Sequence, residues 1–143
     1  AIVTYASSTD VVLESEYVTD KAKITQLIQD LTAGGYTAGA KGIKKAYQVA
    51  RENFITDGNN QVIIATDGAF NLEKSDKTIL NDVSANYKKG VAISVLGVKN
   101  EKWTISSMTA IAEAGGGNYL HIESFAQAQQ VLMNEIKAKS RKK

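Results

Sequence analysis

Gln61-Val62-Ile63-Ile64-Ala65-Thr66-Asp67-Gly68 is the stretch on which the fold turns. Its apolar run is rich in β-branched residues and passes without a polar break into Thr-Asp-Gly. A continuous apolar run bounded by turn residues is the pattern of a strand buried on both faces. Asn59-Asn60 opens it and Asp67-Gly68 closes it. In an open α/β sheet, ligands sit beyond the carboxyl ends of the strands. Asp67 is then a carboxylate standing where such a fold does its work. Turns also favour aspartate for structural reasons, and on this stretch alone both readings stay open.

Downstream of it, strand and helix patterns alternate. Ser75 or Asp76 begins a helix with Ile79, Leu80, Val83 and Tyr87 on one face, and Gly90 stops it. Val91 to Gly97 reads as a second buried strand. Residues 104–114 form a short helix through Ile105, Met108 and Ile111, which Gly115-Gly116-Gly117 breaks. Asn118 to Ile122 is a last strand. Ser124 to Gln127 has capping-box spacing and opens a terminal helix buried through Phe125, Ala128, Val131, Leu132 and Ile136. This order predicts a parallel sheet with helices on its faces.

Upstream, Ile2 to Ala6 and Val11 to Leu13 are joined by a short turn, which predicts an antiparallel hairpin. Thr19 or Asp20 caps a helix carrying Ile24, Leu27, Ile28 and Leu31 on one apolar face, and Gly34-Gly35 ends it. A second helix presents Ile43, Ala46, Tyr47 and Ala50. Between the two lies the small-residue loop Gly34-Gly35-Tyr36-Thr37-Ala38-Gly39-Ala40.

The 143 residues fit one domain, 1–143, with a real core. No cysteine is present, which excludes disulfides and thiolate metal sites, and the single histidine, His121, excludes a histidine-rich one. No stretch is apolar enough to span a bilayer, and the first residues carry no basic leader. The net charge of +2 hides an asymmetry. Lys137, Lys139, Arg141, Lys142 and Lys143 are five of the 17 basic residues; without them 12 face 15 acidic ones, or −3. Positive charge at a frayed helix end suits the helix dipole, so no nucleic acid is expected as a partner.

Two loops carry the candidate chemistry, those at Thr37 and Asp67. A hydroxyl and a carboxylate are hard oxygen ligands suited to Mg²⁺ or Mn²⁺. The bland alternative makes Thr37 a helix N-cap. A phosphate-binding reading of Gly34 to Lys41 fails, because Ala40 intervenes before Lys41 and Gly42 stands where Ser or Thr is required. An Asp67-centred, Mg²⁺-dependent phosphoryl transfer is the enzymatic alternative; its further acidic partners would be Glu73 or Asp76, though Asp76 is more simply a helix-start residue. His121 reads as a surface or hydrogen-bonded histidine. Trp103 and Tyr36 read as core or exposed binding aromatics.

Gly34-Gly35-Tyr36-Thr37-Ala38-Gly39 and Thr66-Asp67-Gly68-Ala69-Phe70-Asn71 together resemble the bacterial von Willebrand factor type A domain. The opening Ala1 to Ala6 resembles that family's second strand, and Val95-Leu96-Gly97 and Gly117-Asn118-Tyr119 its later strands. The resemblance covers essentially the whole chain and implies a Rossmann-like, doubly wound α/β sheet with helices on both faces. It implies a non-enzymatic protein-interaction module, with a partner's carboxylate completing a metal-ion-dependent adhesion site. In that site Thr37 matches the family's threonine and Asp67 its aspartate. An extracytoplasmic or membrane-associated setting in bacteria is implied in the same way.

The departure from the family is the absence of its Asp-x-Ser-x-Ser loop from residues 1–143. The chain is expected to be an N-terminally incomplete domain lacking the usual first, central strand. Ala69 stands where many relatives of this subgroup carry an acid. With Thr37 and Asp67 alone, Mg²⁺ or Mn²⁺ binding is expected to be weak, since Mg²⁺ prefers near-octahedral oxygen coordination. For the gap left by the strand there are three alternatives: the chain is a fragment, a partner or a second copy pairs with the exposed strand, or the Ile2 strand closes directly onto the Val62 strand. The last predicts backbone hydrogen bonds between residues 2–6 and 61–66.

Overall fold

The computed structural model describes residues 1–32, 34–35, 38–67, 76–98 and 102–140, with backbone alone at 76, 102, 103 and 125. The elements run β1 (Ile2–Tyr5), β2 (Thr9–Leu13), α1 (Lys21–Gln29), α2 (Gly39–Glu52), β3 (Asn60–Thr66), α3 (Asp76–Lys88), β4 (Val91–Val98), α4 (Lys102–Ala114), β5 (Gly116–Ile122) and α5 (Phe125–Ser140).

Strands β3, β4 and β5 form a parallel three-stranded sheet in that order. Alternation along β3 and β4 divides their side chains between two layers. Val62 and Ile64, with Val91, Ile93 and Val95, face Ile43 and Tyr47 of α2, Ile79 and Val83 of α3, and Met108, Ile111 and Ala112 of α4 in one core cluster. Ser94 points to the opposite face, where Glu135 of α5 meets it. The α/β architecture with helices on both faces of a parallel sheet is thus the observed one.

The hairpin β1–β2 is antiparallel, with Tyr5 opposite Thr9 and Val3 opposite Val11, and forms a separate sheet. The closed-up alternative is therefore corrected: among the described residues no strand pairing joins β1 to β3. Helix α2 packs under both β1 and β3, so it holds the two edges apart at a fixed separation.

Helix α1 corrects a second expectation. Asp20 caps it, accepting the Lys23 amide at 3.0 Å, but it ends at Gln29, before the Gly-Gly pair. None of its residues is buried, and Ile28 and Leu31 just beyond it are exposed. The expected apolar face exists without a core to cover it. In α5 the burial also differs: Ala128, Val131 and Leu132 are half-buried, Ile136 is exposed, and the Phe125 side chain lies outside the described residues.

Tyr47 is 1% exposed in the core cluster, and its hydroxyl has no hydrogen-bond partner among the described residues. Burial pushes this phenol far above its ordinary pKa. A buried hydroxyl left unpaired costs free energy that an apolar group of the same shape does not. Tyr47→Phe is expected to stabilise the fold by about 1 kcal/mol, read as a higher urea midpoint at unchanged slope. A lower midpoint would show that the hydroxyl is satisfied in solution.

Candidate functional site

Strand β3 delivers Thr66 and Asp67 to the carboxyl edge of the sheet, Thr66 buried and Asp67 exposed. The apolar run before them anchors this end, because Val62 and Ile64 are locked into the core. Beside it, β1 brings Tyr5. Its hydroxyl donates to the Ala65 carbonyl at 2.9 Å, across sixty residues of sequence. Burial is the main cause that raises the Tyr5 phenol above its usual pKa; the Thr66 side chain opposes this by hydrogen bonding, and the Asp67 charge adds to it. The Asp67 charge thus reaches the Tyr5 phenol at this edge.

The loop before α2 docks on the same edge. The Ala38 amide donates to the Ala6 carbonyl at 3.2 Å, at the end of β1. Gly35 lies against Ser7 with φ +83°, and a Cβ there would stand 2.7 Å from the Ser7 hydroxyl. The residue capping α2 is Ala38, with no side-chain cap bond. The capping position of α2 thus falls on Ala38, one residue after Thr37. Thr37 itself, with Tyr36 and the segment 68–75 that includes Glu73, lies outside the described residues.

The described part of this edge offers a metal one carboxylate, Asp67. Among the described residues no group of three or more His, Cys, Asp or Glu side chains is clustered to hold an ion. Octahedral Mg²⁺ demands more ligands than that, so the described set does not by itself make a metal centre. His121 is exposed, its Nδ1 lying 3.3 Å from the Tyr119 hydroxyl, as a hydrogen-bonded surface histidine should be. Lys139 of the basic end donates to the Gly116 carbonyl at 2.8 Å and so helps fasten α5 to β5. No helix among the described residues is long and apolar enough to cross a membrane.

Glu135 is the residue that sequence reasoning missed. It is 4% exposed and accepts from Ser94 Oγ at 2.5 Å, Asn118 Nδ2 at 2.8 Å and Gln61 Nε2 at 3.5 Å. These bonds clamp α5 to all three parallel strands, opposite the main core. The network is structural, on the far side from α2.

The family model for the von Willebrand factor type A domain matches residues 1–134. The uncharacterized protein YfbK of Escherichia coli K12 is 40% identical over 138 residues, which is 96% of this chain and 24% of that protein. The chain thus spans about a quarter of the length of that curated relative. Among solved structures, proximal thread matrix protein 1 from the mussel byssus, with zinc in its MIDAS motif, is 26% identical at a TM-score of 0.70, with 95% of this chain and 33% of that one covered. A von Willebrand factor type A protein from Catenulispora acidiphila shares the fold at a TM-score of 0.74 and 20% identity, over 96% of this chain and 32% of that one. The family is one of protein-interaction and metal-binding modules, generally without enzymatic activity. With the parallel sheet, the carboxyl-edge aspartate and the docked loop before α2, these matches establish that the chain belongs to the von Willebrand factor type A domain family.

Proposed function

We propose that this domain is a non-enzymatic binding module whose partner-facing surface is the carboxyl edge around Thr37 and Asp67. In this reading the two residues contribute to a weakly held Mg²⁺ or Mn²⁺, and a carboxylate of a protein partner completes the coordination. The observation that carries it is the position of Asp67: an exposed carboxylate at the end of a core strand, beside an edge onto which the loop before α2 is fastened by the Ala38–Ala6 bond. An incomplete adhesion site of this kind binds metal weakly alone and better with its partner, because the partner supplies a missing ligand.

The test is thermal unfolding in EDTA and then in millimolar Mn²⁺. A ligand at ten times its Kd adds about 1.4 kcal/mol, a rise of roughly 3–5 °C in Tm for a domain of this size. Asp67→Ala is expected to abolish that rise while leaving Tm in EDTA nearly unchanged, since the side chain is exposed. A Tm indifferent to Mn²⁺, together with partner binding that survives Asp67→Ala, would overturn the reading.

A further inference from the structure

Helices α2 and α3 together line a groove of about 640 Å³. From Ala40 to Arg51 it follows α2 for about 16 Å, at 1.5 Å per residue. Lys41, Lys44, Lys45 and Arg51 of α2 line it, as does Lys89 just beyond α3, against one carboxylate, Asp82. Without its basic end the chain carries only 12 basic residues against 15 acidic ones. Five of those 12 thus stand in one groove of a body whose charge is −3.

Nothing in the described domain offsets this crowding. Among the described residues no carboxylate pairs with any of the four lysines. Lys41 stands three and four residues before Lys44 and Lys45, the spacings at which like charges on a helix repel. Arg51 is held across the groove, its Nη1 donating to Asn86 Oδ1 of α3 at 2.8 Å. A cleft lined by one sign of charge over low-dielectric walls focuses its field, and the buried Ile43 and Ile79 supply such a lining here. A second, independent observation lies at the same place. Tyr47 also lines the groove, and its buried hydroxyl has no partner among the described residues. An acceptor brought by a ligand would satisfy that hydroxyl and recover the cost of leaving it unpaired.

We propose that this groove docks an acidic, extended segment of a protein partner, whose carboxylates pair with Lys41, Lys44, Lys45 and Arg51 while one of them accepts from the Tyr47 hydroxyl. A span of about 16 Å takes about five extended residues. Polypeptide fits the groove better than other polyanions for two reasons. The half-buried Asp82 on the groove wall calls for a donor, which a backbone N–H supplies and a phosphate chain at neutral pH does not. A membrane surface is broad, whereas these cations line a concavity. The site uses no metal and does not rest on the adhesion-face reading.

The experiment is fluorescence anisotropy of a labelled hexaglutamate peptide titrated with the protein in EDTA, with the contacted residues mapped by amide NMR shifts. Shifts are expected along α2 and α3. Binding should weaken steeply when salt is raised to about 0.5 M, where the Debye length is about 4 Å. Lys44→Glu combined with Lys45→Glu should weaken it on the order of tenfold, and Lys44→Gln alone about threefold. Tyr47→Phe gives the sharpest readout: about tenfold weaker binding from a domain expected to be more stable, a combination that a purely structural role does not produce. Asp67→Ala should leave the peptide's affinity unchanged, which keeps this test distinguishable from that of the adhesion face. Absence of binding, shifts centred on the basic end of α5, or a Tyr47→Phe variant that binds as tightly as the parent would overturn the proposal. So would tripolyphosphate, or vesicles containing phosphatidylserine, bound more tightly than the peptide and with the same dependence on Lys44 and Lys45, which would assign the groove to a phosphate ligand.

Discussion

Gly117→Ala is expected to destabilise the domain by about 3 kcal/mol or more, at the upper end of what overpacking costs. A Cβ at this position would overlap the backbone carbonyl of Ile93, with Ser94 Oγ only 2.6 Å away. Backbone cannot rotate aside as a flexible side chain can, and Ile93 is fixed on both flanks in the centre of the sheet, with no exposure. The register between β4 and β5 is irregular here: Ile93 lies opposite Gly116 and Val95 opposite Tyr119, so β5 carries an extra residue against Ser94. The Asn118 amide donates to Ser94 Oγ at 3.3 Å and steadies this bulge. An alanine must therefore push β5 away from β4 and loosen a ladder on which α4 and α5 both pack. Urea unfolding measures the loss. Gly34→Ala is the control, because a Cβ there meets nothing within 4 Å; it should stay within about 0.5 kcal/mol of the parent. Equal midpoints for Gly117→Ala and Gly34→Ala would show that β5 shifts freely.

Glu135→Ala should cost about 3 kcal/mol, a fall in Tm of roughly 6–12 °C at the sensitivity of a domain this long. The side chain is almost wholly buried and is the shared acceptor for donors from β3, β4 and β5. Truncation leaves the fully buried Ser94 hydroxyl without its acceptor and takes from half-buried Gln61 and exposed Asn118 the carboxylate that ties their strands to α5. The loss of those bonds, not the loss of charge, dominates. Glu135→Gln separates the two, because it keeps one oxygen acceptor and the same volume, and it should recover part of the loss. If alanine and glutamine proved equally damaging, the charge would be the stabilising element; if neither mattered, α5 would be held by its half-buried apolar residues alone.

These two residues also mark where sequence reasoning stopped. Strands β3 and β4 were legible because a buried parallel strand must be apolar at every position, and Val62 to Ala65 and Val91 to Leu96 nearly are. The face of α2 was legible from the spacing of Ile43, Ala46, Tyr47 and Ala50. The start of β5 was not: glycines read as a break, whereas Gly116 and Gly117 are already in the strand and are small because β4 lies so close. Glu135 among apolar neighbours reads as a solvent-facing charge, and only the fold reveals the donors waiting for it. At the candidate site, Asp67 was legible from its place at a strand end. Tyr5 was not, because its tie to Ala65 joins residues sixty positions apart. The apolar spacing in α1 predicted a packed face, and no periodicity can reveal whether a neighbour is present to cover it.

Helix α1 therefore has an energetic status of its own. It has nine residues, a cap at Asp20 and an exposed Lys23–Glu16 ion pair, and nothing buried. Isolated helices shorter than about 12–15 residues are marginal in water, and an exposed ion pair adds at most about 1 kcal/mol. The opening of α1 is then governed by its own small free energy, far below the global one, and its amides would lose protection while the parallel sheet stays folded. Any surface that later covers Ile28 and Leu31 must supply the ordering of this helix as part of its own binding equilibrium, which makes the affinity of that contact a direct reading of helix stability.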